Sequence, residues 1–430
     1  MVVMCLSVGT LMSLDMRVNQ KRLRQDIQEN ATFGSIDADE GEGRTVLTGS
    51  KADRLVRERF IDRLDDAGLK VRVDAIGNIV GRWNPQECDC NASPVAVGSH
   101  LDSVPRGGIF DGPLGTYGAL EAVRALKEEG YEPSRPIEVV CFTEEEGGRF
   151  NIGTLGSSVA TGHRDVEEAL ALTDGEGVTL GERLEGIGFA GNSIVDARSW
   201  KAWLELHIEQ GTRLREADAG VGIVDSITGI TNCEVTVQGE ADHAGSTSMC
   251  DRTDALAAGS AFVLALERAA REEAANSDAA VGTAGSGSIA PNVRNIIPAK
   301  VQYQLDIRDV TEAGMDRLVE RCRSALNRLE QTRGVATMLD RYRHSPPTTM
   351  SERCTGAIAN AATKCGVDAI ELHSAAMHDT ANVATVTDAG LLFAPSEKGV
   401  SHSPKEWTDW EECAAATAVL GDTLRSLTLE

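Results

Sequence analysis

Val97-Gly98-Ser99-His100-Leu101-Asp102-Ser103, followed by Gly107-Gly108-Ile109-Phe110-Asp111-Gly112-Pro113, sets a His, an Asp and a second Asp just after an apolar run. Alternate residues of a strand share a face, so His100 and Asp102 are placed to serve one pocket. A carboxylate beside an imidazole is what fixes the tautomer of a metal-bound histidine. Asp111 stands in a glycine-rich turn that can present its carboxylate to a cation.

Three further segments repeat the setting. Cys141-Phe142-Thr143-Glu144-Glu145-Glu146-Gly147 places three acids after an apolar strand; a solvated acidic loop is the competing reading. One of these carboxylates can bind metal while its neighbour faces substrate water as a general base. Leu204-Glu205-Leu206-His207 and Val400-Ser401-His402-Ser403-Pro404 each bring a histidine to a strand end or proline-held turn. A lone histidine is ordinarily structural, but the chain has only 8, and these recur in matching surroundings. His100, His207, His402, Asp111 and Glu146 are a suitable inventory for two divalent cations bridged by a carboxylate.

The elements that must position these residues follow from periodicity. Lys51 to Ala67 reads as a helix, and Val71–Val73 with Ile79–Gly81 as a strand pair. From Val95 the pattern is strand, turn, helix (Gly115 to Glu129), strand (Ile137 to Phe142), then helix near Phe150 to Ala160. This alternation predicts an α/β sheet with its ligands at the carboxyl ends of the strands. The character changes near Thr228. Strand Cys233 to Gln238, helix Asp251 to Glu273, a Gly/Ala/Ser-rich loop Ser277 to Gly287, strand Val301 to Ile307 and helix Ala313 to Leu329 predict a small α+β sandwich. Pro346-Pro347 marks the return, with a last strand at Leu391–Phe393 and a last helix from Trp410 to Leu427. The expected plan is a catalytic domain over 1–228 and 344–430, interrupted by a smaller domain over 229–343.

With 430 residues, 41% hydrophobic and 25% charged, the chain reads as a globular protein with room for two domains. A net charge of -24 argues against nucleic acid or an anionic membrane as partner. The same charge, with Arg outnumbering Lys, suits a protein adapted to high salt, an ordinary acidic enzyme being the alternative. The 10 cysteines lack a disulfide-framework spacing, and Cys88-Asp89-Cys90 reads as an incidental reduced loop. Residues 1–15 are apolar but lack the marks of a signal peptide, and Met16 offers an alternative start. The cytoplasm is the expected location.

Taken together, GSHLDSVPRGGIFDGPLG, FTEEEGGRF, LELHIEQG, ADHAGSTSM with Arg252, PNVRNIIP, LDIRD and SHSPKE resemble the amidase, hydantoinase/carbamoylase branch of the M20 metallopeptidase superfamily. The resemblance covers nearly the whole chain in order. It implies a zinc-peptidase-like catalytic domain with an inserted lid and dimerisation domain, two divalent ions per subunit (Zn, Mn, Co or Ni), and a homodimer. It implies that His100, Asp111 and His207 hold one metal and Asp111, Glu146 and His402 the other. Asp102 is then expected to orient His100, Glu145 to act as general base and acid, and Glu144 to be the extra, non-catalytic acid. Gln210, His243, Asn295, Arg308, Ala375 and His378 are implied as substrate residues. His243, Asn295 and Arg308 are expected to reach the partner's site, with His243 stabilising an oxyanion and Arg308 binding an α-carboxylate. The implied reaction is hydrolysis of a linear C–N bond, first of an N-carbamoyl-L-amino acid. Allantoate and N-carbamoyl-β-alanine are the alternative substrates; a peptidase or a silent binding subunit is a more distant reading.

One stretch departs from the family pattern. Relatives carry Ser-Gly-Ala-Gly-His-Asp-Ala where this chain has Ser374-Ala375-Ala376-Met377-His378-Asp379-Thr380, so a close backbone approach to substrate is replaced by side chains.

Overall fold

The computed structural model describes residues 16–85 and 91–429; residues 1–15 and the Cys88–Cys90 pair lie outside it. The chain divides into two compact units. One contains the residues up to Asp225, Met350–Leu372 and the stretch from His378 onward; the other contains Ser226–Thr349 and His373–Met377.

The first unit is built on a twisted sheet whose strands run in the order Val221–Ile227, Ala389–Ala394, Ala202–Ile208, Val95–His100, Ile137–Phe142, Ile79–Trp83, Lys70–Val73. The four central strands are parallel and the outer ones antiparallel. Every residue of those four strands is buried, which explains why they read as continuous apolar runs instead of alternating ones. Helices Lys51–Asp66, Pro113–Glu128 and Trp410–Thr428 cover the sheet. Ser50 caps the first of them by accepting the Asp53 N–H at 3.1 Å, and Pro113 opens the second. Helix Gln20–Ala31 was not anticipated. The helix expected near Phe150–Ala160 is confined to Leu155–Ala160, because Gly147 and Asn151 take positive φ and turn the chain first.

In the second unit, strands Val281–Ala290, Lys300–Asp309, Gly229–Gln238 and Ala336–Ser345 form, in that order, an antiparallel sheet. Helices Ala255–Ala274 and Glu312–Arg333 pack Phe262, Leu266, Leu318 and Cys322 against Val235, Val301 and Leu305. The expected loop over Ser277–Gly287 is corrected: from Val281 it is an edge strand. Its glycines and serines carry no strand pattern of their own, and pairing with Lys300–Asp309 decides its conformation. No described helix is long and apolar enough to cross a membrane.

Candidate metal centre

The carboxyl ends of the parallel strands gather the site. His100 ends its strand, His207 is the penultimate residue of the neighbouring one, and Glu145–Glu146 and His402 follow two others. His100, Asp111 and His207 form one triad of ligand atoms and Asp111, Glu146 and His402 a second, all atoms of each lying within 4.8 Å of one another. The Asp111 carboxylate is common to both. Its Oδ1 lies 3.5 Å from His100 Nε2 and 3.2 Å from His207 Nε2. His402 Nε2 lies 3.6 Å from Asp111 Oδ2 and 3.3 Å from Glu146 Oε2.

These separations can be tested against a cation. Two ligand atoms about 2.1 Å from one tetrahedral ion stand roughly 3.4 Å apart, and the four distances of 3.2, 3.3, 3.5 and 3.6 Å cluster around that spacing. His100 Nε2 is also buried without a hydrogen-bond partner, a costly arrangement that a metal bond would relieve. The residues present fit the group.

The candidate ligands are held by a shell of hydrogen bonds. His100 Nδ1 faces the Asp102 main-chain carbonyl at 3.2 Å and the Asp102 carboxylate at 3.6 Å, so the carbonyl is its nearer partner. The Asp102 carboxylate instead accepts the N–H groups of Glu145 at 3.2 Å and Glu146 at 3.1 Å, fixing the loop that carries both acids. His207 Nδ1 meets the Ile208 carbonyl at 3.0 Å. Gln210 donates from Nε2 to Asp111 Oδ2 at 2.8 Å and to Ser401 Oγ at 3.0 Å, leaving its Oε1 buried and unpartnered. Glu144, Gln210 and His402 all sit at positive φ, the sort of backbone strain that packing holds at functional sites.

Charge in this setting is unbalanced. Burial and the Asp379, Glu146 and Asp102 carboxylates push the Glu145 carboxyl well above its usual range despite His100 nearby. Burial opposes a charge on His100, but Glu145, Asp102 and Asp111 outweigh it and raise the imidazole well above its usual value. His402, with its Nε2 3.3 Å from the Glu146 carboxylate, is raised to about 9. A bound cation would oppose each of these shifts.

Several holding residues escaped the sequence reading. Glu406 accepts the N–H groups of Phe110 at 2.8 Å and Asp111 at 2.9 Å, and Ser401 Oγ lies 2.8 Å from Asp111 Oδ2. A Cβ on Gly108 would come within 2.3 Å of the Glu406 carboxyl, so the glycine admits this contact. Glu144 has a structural place: buried at 1% exposure and raised to about 7 chiefly by that burial, it accepts the N–H groups of Arg149 and Phe150 at 2.9 and 2.8 Å. The solvated-loop reading of Glu144–Glu146 is thereby corrected. Arg44 gave no signal at all.

Of the remaining expected residues, His378 is buried in the first unit with its ring 4.5 Å from that of His207. His243, Asn295, Arg308 and Ala375 belong to the second unit. There, Ala244 N–H donates to the Asn295 carbonyl at 2.9 Å, so the His243 and Asn295 loops are laced together. His243 Nδ1 accepts the N–H groups of Gly245 and Ser246 at 3.1 and 3.0 Å, which places the ring proton on exposed Nε2. Asp306 grips the Arg308 guanidinium through two bonds of 2.8 and 3.2 Å, and Arg308 Nη1 donates to the Ala375 carbonyl at 2.9 Å.

Known proteins resemble this chain in sequence and fold. The profile of peptidase family M20/M25/M40 matches residues 96–426. An N-carbamoyl-L-amino acid amidohydrolase of Geobacillus stearothermophilus is 36% identical over 95% of this chain and 99% of its own length. A ureidoglycolate hydrolase of Arabidopsis thaliana is 34% identical over 96% of this chain and 87% of its own. An allantoate amidohydrolase of Bacillus subtilis is 33% identical over 92% and 95%. The crystal structure of a hydantoinase/carbamoylase family amidase from Burkholderia multivorans superposes with a TM-score of 0.90 at 33% identity, covering 96% of this chain and 99% of that one.

Proposed function

The chain belongs to peptidase family M20/M25/M40, and from that premise we propose a dinuclear metal-dependent amidohydrolase that converts N-carbamoyl-L-amino acids to L-amino acid, ammonia and carbon dioxide. The observation that carries the reading is a single carboxylate, Asp111, shared by two ligand triads with the acid Glu145 beside them. Bound divalent cations, for which Zn, Mn, Co and Ni all suit the donors, would activate water and polarise the ureido carbonyl.

The chain's own groups do the rest. Glu145 takes a proton from the attacking water and returns it to the leaving nitrogen. Asp102 orients the Glu145 backbone through its two N–H contacts. The unpartnered Gln210 Oε1 is an acceptor for a ureido N–H. His243, with Nδ1 occupied by backbone donors, offers Nε2–H to the developing oxyanion. Arg308, its plane fixed by Asp306, and Asn295 bind the α-carboxylate end. Ala375 borders that contact, and His378 backs His207.

We further infer a cytoplasmic homodimer in which His243, Asn295 and Arg308 serve the partner's site, adapted to high salt by its charge of -24. Mixing a His243 variant with a Glu145 variant tests the shared site: recovered turnover supports it, and none refutes it. The test of function is ammonia release from metal-loaded protein offered N-carbamoyl-L-amino acids, N-carbamoyl-β-alanine, allantoate and a dipeptide. Preference for the first class is expected. Turnover of allantoate alone would assign the second reading, favoured by the ureidoglycolate and allantoate relatives. Cleavage of the dipeptide alone would refute both.

A further inference from the structure

Among the described residues, Arg44 is the largest charged side chain fully buried, at 0% exposure, and its guanidinium hydrogen-bonds to no carboxylate among them. It donates instead to four main-chain carbonyls: Gly108 from Nε at 3.2 Å, Leu101 from Nη1 at 2.9 Å, and Asp102 and Asp111 from Nη2 at 3.3 and 3.2 Å. Its own N–H donates to the Gly107 carbonyl at 3.0 Å. Those carbonyls span the whole turn between the two metal-type residues His100 and Asp111. The same turn carries Asp102, which holds the Glu145–Glu146 backbone. Asp102, Asp111, Glu146 and Glu406 all act electrostatically on Arg44.

An arginine spent wholly on carbonyls inside an acidic cavity has two consequences. Its rigid fork fixes the path of the turn from beneath, while Glu406 fixes it through the opposite main-chain groups, the N–H of Phe110 and Asp111. Its charge also stays unneutralised by direct pairing, so it offsets the crowd of carboxylates as a whole. We propose that Arg44 is a positioning residue that preassembles the metal centre, holding Asp102 and Asp111 in register and supplying fixed positive charge before any cation arrives.

The inference rests on the dinuclear reading, and the experiment keeps the two apart. Zinc affinity and stoichiometry are measured by chelator competition on the full chain, together with melting curves with and without zinc, for wild type, Arg44→Lys and Arg44→Met. Two zinc ions bound per wild-type chain support the dinuclear reading; one or none refutes it whatever the variants do. Removing a residue that orients metal ligands typically weakens metal binding by about 10–100-fold, and that loss is expected for Arg44→Met. Its zinc-free melting point is expected to fall further than its zinc-loaded one. Arg44→Lys keeps the charge but cannot reach four carbonyls, so intermediate affinity is expected. If Met alone does not fold, Lys decides. Wild-type zinc affinity in Arg44→Lys, or equal melting losses with and without zinc and unchanged affinity, would reduce Arg44 to a packing residue and overturn the proposal.

Discussion

Glu144, Glu145, Asp102, Asp111 and Glu406 sit in the first unit at exposures of 9% or less, whereas His243 and Asn295 stand exposed on paired loops of the second. The buried group is fixed many times over: each carboxylate but Glu145 accepts backbone or side-chain donors that set its direction. In the exposed pair, the Ala244 N–H to Asn295 carbonyl bond ties the two loops, and two backbone N–H groups hold the His243 ring through Nδ1. The difference teaches where rigidity is invested. Groups that bring like charges together must be held before the ligand arrives, because electrostatic preorganisation cannot be improvised during turnover. The exposed residues, proposed to contact substrate, are held by fewer bonds within their own loops.

The sharpest way to break this contrast is Asp111→Ala, which removes the carboxylate common to both triads. Metal analysis is expected to show loss of both ions, with turnover at background. Glu145→Gln is expected to leave metal content intact and lower kcat by about 10²–10⁴-fold, the range for a general acid–base group. Retained metal with undiminished kcat would remove Glu145 from the chemistry. On the exposed side, His243→Phe is expected to lower kcat by roughly 10²–10³-fold, as for other single oxyanion donors, without altering metal affinity. Arg308→Lys keeps the charge but loses the planar fork; hydrogen bonds to charged groups contribute about 1.5–3 kcal/mol. KM for an N-carbamoyl amino acid is therefore expected to rise about 10–100-fold with kcat little changed. The smallest effect concerns the net charge of -24. Melting points measured from low to molar salt are expected to climb, and a flat series would remove the salt-adapted reading.

The two regions also differed in how far the sequence revealed them. His100, Asp111, Glu146, His207 and His402 were legible because parallel strands are unbroken apolar runs and their ends announce themselves. The resemblance supplied the pairing into triads. Glu406 lay in view within SHSPKE, yet its partners are N–H groups almost three hundred residues away in sequence, and no local pattern encodes such a bond. Arg44 was silent for the same reason, since all of its bonds are to carbonyls and carbonyls have no sequence signature. Strand Val281–Ala290 was missed because its glycines and serines pack little, and its neighbour Lys300–Asp309 supplies the pattern it lacks.

Gly112 joins the metal turn to the helix that follows, at a φ of 82°, and a Cβ there would lie 2.5 Å from His100 Cε1. Considered as a position in a gene, it tolerates only silent changes. Every single-base change that gives it a side chain forces that atom into a ligand's ring and into backbone territory that L-residues avoid. The turn's solvent side is different: Pro105 and Arg106 are exposed. Variation in this loop is therefore channelled to its outer rim, and a lineage can restyle the approach to the site far more readily than its floor.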